Sequence, residues 1–240
     1  MQLAVRELAG FYDTHLGAVA RRILLRRLRL AWPNVEGQRV LGYGYAIPYL
    51  RPFLVEGERG VAAMPAHMGV TSWTDRGKCL TSLVEEDQLP FPDAFFDRVL
   101  VVHGLEGAES LRPLLRQLWR VLAPEGKLLL VAPTRASLWA QVDWSPFGQG
   151  RPFSRRELEA LLQSGMFEVT GWDHALFPPP FNAKPLIGTG AGWERFGRRV
   201  FPGLGGVHVV EATKSLYAPV GPTPLPRGAQ PARLTPASSE

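Results

Sequence analysis

The sequence has little cysteine, little lysine and no long hydrophobic run. Its single cysteine, Cys79, excludes an intramolecular disulfide and any metal site built from several thiolates. The longest apolar stretches, Val99–Val102 and Leu128–Ala132, are far shorter than the ~20 residues that span a bilayer. The N-terminal segment also lacks the apolar core of a secretion signal. These absences predict a chain without transmembrane segments in a reducing, cytoplasmic setting.

The charge of the chain is basic, and arginine carries almost all of it. The 240 residues include 27 Lys and Arg against 22 Asp and Glu, which gives a formal charge of +5. Arginine pairs well with phosphate, so a nucleic-acid partner is one interpretation of this excess. The scarcity of lysine is more typical of coding bias than of a selected binding surface. The composition therefore does not favour a nucleic-acid partner.

A basic amphipathic helix is predicted near the N-terminus, over Ala18–Leu30. Apolar residues recur there at helical spacing. The polar positions hold five arginines, namely Arg21, Arg22, Arg26, Arg27 and Arg29. Such a helix could lie on an anionic membrane, but a surface helix with solvated arginines explains the pattern more simply. Pro33 and Gly37 end it, and residues 1–37 are predicted to form an N-terminal helical cap or lid.

From residue 38 onward, short apolar segments alternate with helical ones, a pattern typical of βαβ units and a parallel sheet. The predicted strands are Arg39–Tyr43, Gly60–Met64, Cys79–Val84, Arg98–Val102, Lys127–Ala132, Phe167–Trp172 and Val207–Leu216. Ser110 is predicted as the N-cap of one helix. Ser154 begins another, where Glu157 completes a capping box. The folded α/β domain is predicted over residues 38–218.

Two segments rich in proline or glycine fall outside this alternation. The segment 178–206 separates the last two strands, and a loop of about thirty residues in a compact domain is usually functional or partly mobile. The segment 219–240 holds six prolines and almost no bulky apolar side chains. Such a composition does not build a core, so this tail is predicted to be disordered.

Two motifs flank the fourth predicted strand and the helix that follows it. Leu89–Asp97 reads LPFPDAFFD before the strand, and Leu118–Gly126 reads LWRVLAPEG before the next one. Their order resembles the class I S-adenosylmethionine-dependent methyltransferases of the small-molecule, type 11 group. The resemblance is closest over residues 38–135 and continues to Leu216. It implies a Rossmann-like α/β fold, with a mostly parallel seven-stranded sheet, helices on both faces and an antiparallel last strand.

The resemblance also implies S-adenosylmethionine as the cofactor and identifies the residues that would contact it. These are Tyr12 in the N-terminal lid, Gly42, Gly44, Tyr45 and Ala46 in the loop after strand one, Met64 after strand two, and the acids Glu85, Glu86 and Asp87 before Leu89. Among them, Glu85 aligns best with the acid that meets the adenine amino group in the family.

Four positions depart from the family's pattern. Gly42 stands where family members have an acid, while Ala46 and Pro48 replace the second and third glycines of the loop. Pro48 is also expected to disturb the start of the next helix. Met64 replaces the acid that accepts hydrogen bonds from the ribose. Losing those bonds could lower cofactor affinity about tenfold to a hundredfold per bond.

The residues that follow the fourth and fifth strands are the candidates for chemistry. The resemblance points to His103 and Glu106 as catalytic residues, and His103 could accept a proton from a hydroxyl or amine acceptor. A histidine hydrogen-bonded at a strand end is the non-catalytic alternative. The acceptor pocket is predicted at Trp139, Trp144 and Arg151. No metal-ligand spacing is present, so no metal site is predicted.

The predicted function is S-adenosylmethionine-dependent methylation of a small molecule by in-line transfer. The main alternative is a catalytically inactive protein of the same fold with a structural or regulatory role, because the cofactor loop has lost glycines and an acid. Another alternative, a nicotinamide-dependent oxidoreductase, would need a third glycine in the loop and an acid near the end of strand two, and the sequence has neither. Nucleic-acid methylation would depend on the arginines. Neither the acceptor nor the oligomeric state follows from the sequence.

Overall fold

The computed structural model describes residues 4–75, 77–180, 194, 197, 199–200 and 203–215. The predicted disordered tail and most of the 178–206 loop lie outside the described residues. The elements are α1 (Val5–Asp13), α2 (His15–Ala31), β1 (Arg39–Gly44), α3 (Ile47–Glu56), β2 (Arg59–Pro65), β3 (Thr74–Asp75), β4 (Lys78–Cys79), β5 (Thr81–Val84), β6 (Phe96–Val102), α4 (Leu111–Val121), β7 (Leu122–Pro133), a short 3-10 helix (Leu138–Gln141), α5 (Arg155–Ser164), β8 (Phe167–Ala175) and β9 (Val207–Lys214).

Seven of the strands form one sheet, in the order β5-β2-β1-β6-β7-β9-β8. The first five run parallel, and β9 is antiparallel to both of its neighbours. The predicted seven-stranded, mostly parallel sheet with an antiparallel last strand is therefore confirmed. The chain runs outward from β1 to β2 and β5, then returns to β6 on the other side of β1. Open α/β sheets bind ligands at such a switch point, beyond the carboxyl ends of the strands.

Helices cover both faces of the sheet, as predicted, and each face has its own apolar layer. On one face α1, α2 and α3 pack on the sheet, and fully buried residues there include Leu24, Leu28 and Phe53. On the other face α4 and α5 contribute Leu114, Leu118 and Leu158. The predicted N-terminal cap thus shares a hydrophobic core with the sheet.

Local sequence accounts for where three helices begin. The Ser154 side chain accepts a hydrogen bond from the backbone N–H of Glu157, whose carboxylate accepts one from the N–H of Ser154, so the predicted capping box is confirmed. The backbone N–H and the hydroxyl of Ser154 both donate to this carboxylate, and they lower the pKa of Glu157 to about 2. Ser110 is the N-cap residue of α4, but its side chain makes no capping hydrogen bond. Pro48 lies in the first turn of α3, which begins at Ile47. A missing N–H has no helical partner to lose there, so the expected disturbance by Pro48 is wrong.

The predicted strand Cys79–Val84 is confirmed over Thr81–Val84 and wrong at its start, because Cys79 belongs to a different sheet. Cys79 pairs with Thr74 in a small β3–β4 hairpin, whereas the strand of the main sheet starts at Thr81. Gly77 in the hairpin turn has a φ of 77°, a left-handed conformation that glycine adopts without strain. The hairpin therefore interrupts what the sequence presents as one apolar segment.

The buried face of α4 generates a stability prediction. Leu118 has no exposed surface, so Leu118→Ala should leave a cavity and lower the free energy of unfolding by about 2–5 kcal/mol. Leu138→Ala is the matched control, since Leu138 is 53% exposed and its loss should change stability by less than about 0.5 kcal/mol. Urea denaturation followed by circular dichroism measures both. Equal effects of the two substitutions would contradict the packing described here.

A pair of histidines lies where β8 and β9 run side by side. His208 Nδ1 is 3.1 Å from His174 Nε2, and His208 Nε2 donates to the carbonyl oxygen of Phe153 at 3.1 Å. Burial, aided by the neighbouring His174, lowers the pKa of His208 to about 4. Burial also lowers the pKa of His174. The folded protein therefore favours the neutral form of both rings.

Acid should destabilise the fold through His208. The unfolded chain binds a proton at this histidine once the pH falls below its ordinary pKa of 6.5, whereas the folded chain resists protonation until about pH 4. Stability should therefore decrease progressively between those two values. In His208→Gln, which keeps a donor for Phe153, urea midpoints measured at pH 7 and pH 5 should differ less than in the wild type. An unchanged difference would show that this pair does not control the acid response.

Candidate active site

The carboxyl end of β1 lies so close to the end of β6 and the turn that follows it that the last residue of β1 must be glycine. Gly44 ends β1 with a φ of 80°. A Cβ atom at this position would collide with the carbonyl oxygen of Val102 and lie 2.8 Å from the backbone of Gly104. The N–H of Tyr45 donates to the same Val102 oxygen at 2.8 Å. Gly44 therefore holds the predicted cofactor loop directly against the turn that carries His103.

Three further residues predicted to bind the cofactor have apolar surroundings. A Cβ atom at Gly42 would approach the Leu50 side chain to 2.5 Å, and it would lie 2.8 Å from the Cβ of Ala46. Ala46 and Met64 have no exposed surface and belong to the same apolar core as Leu50 of α3. These contacts hold the loop to the domain, and the polar groups of the site are contributed by other residues.

Those polar groups form one buried chain of hydrogen bonds. The Tyr49 hydroxyl donates to the Tyr12 hydroxyl at 2.8 Å, and the Tyr12 oxygen lies 2.7 Å from His103 Nε2. On the other side of the ring, His103 Nδ1 lies 2.9 Å from Glu106 Oε1. A consistent set of donors has Nδ1–H donating to the carboxylate and Nε2 accepting from Tyr12. The chain joins α1, α3 and the turn after β6.

The two tyrosines of this hydrogen-bond chain keep their hydroxyl protons. Burial, with smaller contributions from the neighbouring hydroxyl and from Glu106, raises the pKa of Tyr12 well above its ordinary value. Burial likewise raises the pKa of Tyr49. Both therefore stay protonated at physiological pH and can donate. Tyr12 directs its proton at His103 Nε2, the position that a substrate hydroxyl would need.

The backbone at His103 is strained. His103 follows β6 immediately and has a φ of 52°, in the left-handed region that costs a non-glycine residue free energy. Its side chain is 1% exposed and held at both ring nitrogens. Such strain persists only where surrounding contacts determine the conformation, and it concentrates at functional sites. The structure thus places the predicted catalytic histidine in a rigid, defined orientation.

Glu106 contributes a buried negative group with spare hydrogen-bonding capacity. Its Oε1 faces His103, while its buried Oε2 has no hydrogen-bond partner among the described residues. Aromatic rings surround the pair, since Tyr12 stacks on Tyr45 at 5.9 Å and the Phe147 ring centre lies 4.9 Å from that of His103. A carboxylate oxygen and ring faces together suit a cationic ligand.

The three predicted adenine-site acids have different surroundings. Glu85 and Asp87 are exposed, whereas Glu86 is partly buried. Glu86 Oε2 accepts hydrogen bonds from the backbone N–H groups that precede α4, at 3.0 Å from Glu109 N, and its Oε1 lies 3.2 Å from His67 Nδ1. Glu86 therefore fixes the backbone immediately before α4. Of the other two, Glu85 directly follows β5, at the same edge of the sheet as the glycine loop.

The three predicted acceptor residues have different surroundings. Trp139 is buried and its indole N–H donates to the carbonyl oxygen of Pro178 at 2.7 Å. Trp144 is 54% exposed beside α1. Arg151 lies over the Phe153 ring at 5.5 Å and lines a cleft of about 650 Å³ between α4 and α5. The backbone N–H of Arg151 donates to the Glu106 carbonyl oxygen at 2.9 Å, so Arg151 is held beside the turn that carries Glu106.

Sequence reasoning did not identify Tyr49 as part of the site. Tyr49 lies four residues after Tyr45 on the first turns of α3, and both contact Tyr12. That spacing was the available signal. Its meaning depended on α1 folding across α3, which no local pattern indicates.

Several solved structures with this arrangement of strands and helices are described as S-adenosylmethionine-dependent methyltransferases, and one, SpnF, is described as a [4+2]-cyclase. One from Thermotoga maritima superposes with a TM-score of 0.61 at 16% identity, covering 88% of this chain and 96% of that one. This chain has the class I methyltransferase fold. Another such enzyme, from Archaeoglobus fulgidus, has a TM-score of 0.55 at 19% identity, with 81% and 94% covered.

Sequence comparison reaches the same class over a shorter segment. A family model described as a methyltransferase domain matches residues 66–130. The ubiquinone/menaquinone biosynthesis C-methyltransferase UbiE of Bordetella avium is 40% identical over 77 residues, and that of Chromobacterium violaceum is 41% identical over 58. These matches span 31% and 24% of this chain, and 30% and 24% of the relatives' own length. The resemblance to type 11 methyltransferases is confirmed over this segment.

The residues at the site fit the methionine end of S-adenosylmethionine, which carries a sulfonium and an ammonium. The unpartnered oxygen of Glu106 and the rings of Tyr12 and Tyr45 provide a negative, aromatic environment for such cations. Met64 offers the ribose no comparable acceptor. Tyr12 and Tyr45 are 5% and 6% exposed, so both rings are almost fully enclosed in this environment.

The described residues lack two further features, a membrane-spanning helix and a cluster of metal ligands. None of their helices combines the length and the apolar character that crossing a membrane requires. Within the same part of the chain, no three His, Cys, Asp or Glu side chains converge as metal ligands.

The hydroxyl of Tyr12 should be important for stability. Tyr12→Phe leaves His103 Nε2 and the Tyr49 hydroxyl without their buried partner, which should lower the free energy of unfolding by about 1–3 kcal/mol. Tyr45→Phe is the control, because it preserves the same ring stack and removes a hydroxyl that has no partner among the described residues. Chemical denaturation compares the two. If Tyr45→Phe costs as much as Tyr12→Phe, the hydrogen-bond chain is not what stabilises the site.

Proposed function

We propose that this protein transfers a methyl group from S-adenosylmethionine to a small molecule. The observation that carries the proposal is the buried His103–Glu106 pair at the carboxyl end of β6, within a class I methyltransferase fold. The cofactor supplies, when bound, a methyl group activated by a positive sulfur. The matched UbiE relatives are named for quinone biosynthesis, which supports a small-molecule acceptor.

The chain's own contribution is a positioned base. The carboxylate of Glu106 accepts the Nδ1–H of His103 and so leaves Nε2 as the proton acceptor. In the structure, Nε2 lies 2.7 Å from the oxygen of the Tyr12 hydroxyl. An acceptor hydroxyl that takes this place delivers its proton to Nε2, and Glu106 stabilises the imidazolium that results. Tyr12 thus occupies the position proposed for the reacting hydroxyl.

The surroundings keep water away from this base. His103, Glu106 and Phe147 are all at least 96% buried, and a dry site strengthens each electrostatic interaction within it. The cleft that borders Arg151 provides a route to the Glu106 turn from the side of α4 and α5. Its lining combines apolar groups such as Phe153 and Leu161 with two arginines and two glutamates, so the cleft favours an acceptor with an apolar body and selects neither sign of charge.

Cofactor binding and methyl transfer test the proposal directly. Isothermal titration of the full chain with S-adenosylhomocysteine should show one saturable site. Transfer of labelled methyl groups to a panel of hydroquinones should then fall about 10²- to 10⁴-fold in Glu106→Gln, because the amide does not stabilise the protonated histidine. Glu168→Gln, on the exposed side of β8, is the matched control and should retain full activity.

The outcomes separate the two alternatives for this fold. A folded protein that binds neither S-adenosylmethionine nor its product at millimolar concentration would contradict the proposed function and favour an inactive binding protein. Binding without any effect of Glu106→Gln on transfer would retain the cofactor and remove His103–Glu106 from the chemistry.

A further inference from the structure

A basic surface lies on the outer side of α2 and α3. It consists of Arg21, Arg22, Arg26 and Leu30 on α2 with Arg51 and Val55 on α3, and all six side chains are exposed. We call it the α2–α3 surface. The α2 sequence contains no acidic residue, and the single acid of α3, Glu56, is already paired with Arg29 at 2.7 Å. The surface is therefore positive without local compensation.

The two helices present their exposed residues side by side. Arg29, near the end of α2, bonds to Glu56 at the end of α3, and its guanidinium lies 5.3 Å from the centre of the Phe53 ring. Residues four apart share one side of a helix. The side chains of Arg22, Arg26 and Leu30 consequently form one outer row, and those of Arg51 and Val55 form another.

The arginines of this surface have no competing partner. Among the described residues, none forms an ion pair with Arg21, Arg22, Arg26 or Arg51. Arg27 differs, because it is buried and lies within 4 Å of Glu194 and Asp173. With Leu24 and Leu28 also buried, α2 is anchored to the domain by its inner side. It offers a fixed outer surface and does not detach to insert.

Two large apolar side chains lie within the same basic surface. Val55 is 83% exposed and Leu30 is 66% exposed, the highest values among the large apolar residues described. Apolar groups interspersed with arginines match the boundary between lipid headgroups and acyl chains. A single-stranded nucleic acid would instead be expected to meet exposed aromatic rings on which bases stack, and this surface has none.

We propose that the α2–α3 surface docks the protein on an anionic phospholipid bilayer. The four arginines would lie at headgroup level, with Leu30 and Val55 reaching into the interface. Each basic residue close to such a membrane strengthens binding about fivefold at moderate salt. The proposal does not depend on methyl transfer, so it stands or fails separately from the proposed function.

Vesicle co-sedimentation of the full chain tests the docking. We expect at least tenfold tighter binding to phosphatidylcholine vesicles that contain 30% phosphatidylglycerol than to pure phosphatidylcholine, and most of this preference should disappear at high salt. Arg22→Glu/Arg26→Glu should weaken binding at least tenfold. Arg116→Glu/Arg156→Glu changes the net charge equally on the opposite face of the sheet and should bind like the wild type.

A second variant distinguishes a bilayer from other polyanions. Leu30→Ser/Val55→Ser preserves every charge and removes only exposed groups, so the fold should be unaffected while vesicle binding falls severalfold. Equal binding to both kinds of vesicle, or equal loss in the two arginine variants, would overturn the proposal. The proposal would also be overturned if the chain retained RNA or DNA in a salt-dependent manner and did not bind anionic vesicles. That result would assign the surface to nucleic acid.

Discussion

The site depends on the close approach of two backbones, where β1 ends against the turn after β6. Gly44 has no room for a Cβ atom beside Val102 and Gly104. This contact brings the glycine loop next to His103 and fixes the spacing between them. Every other part of the site is positioned relative to this contact, because α3 begins at the loop and α1 packs over the loop and the turn after β6. A side chain at position 44 would separate β1 from β6 and move the loop away from the histidine.

The hydrogen-bond chain from Tyr49 to Glu106 places the polar groups of the site in a fixed order beside that contact. Buried polar groups cost free energy unless they are paired, so a completed chain specifies one geometry for α1, α3 and the β6 turn. The pairing is complete except at Glu106 Oε2. That exception is informative, since an enzyme that binds a cation and a hydroxyl needs a spare acceptor and a replaceable donor. In the proposed function, Glu106 would supply the first and Tyr12 the second.

The N-terminal helices have two sides with different roles. Their inner side carries Tyr12 and the leucines that complete the core. The outer side of α2 carries, beside Leu30, arginines that have no ion-pair partner among the described residues. Because α2 is packed on the sheet and paired with α3 through Arg29, a contact made on its outer side bears on a rigid part of the domain. Docking and chemistry would therefore use opposite sides of the same helices.

The sequence by itself determined the features that arise from neighbouring residues. The capping box at Ser154, the alternation of strands and helices, and the motifs from Leu89 to Gly126 were all readable, because their interactions span a few residues or one helical turn. Only the tertiary structure decided which polar groups meet. Tyr12 and His103 are separated by 91 positions, and their contact exists because β1 pairs with β6 while α1 folds across the loop. The β3–β4 hairpin at Cys79 was hidden for a related reason, since pairing partners outweigh the apolar pattern of a short segment.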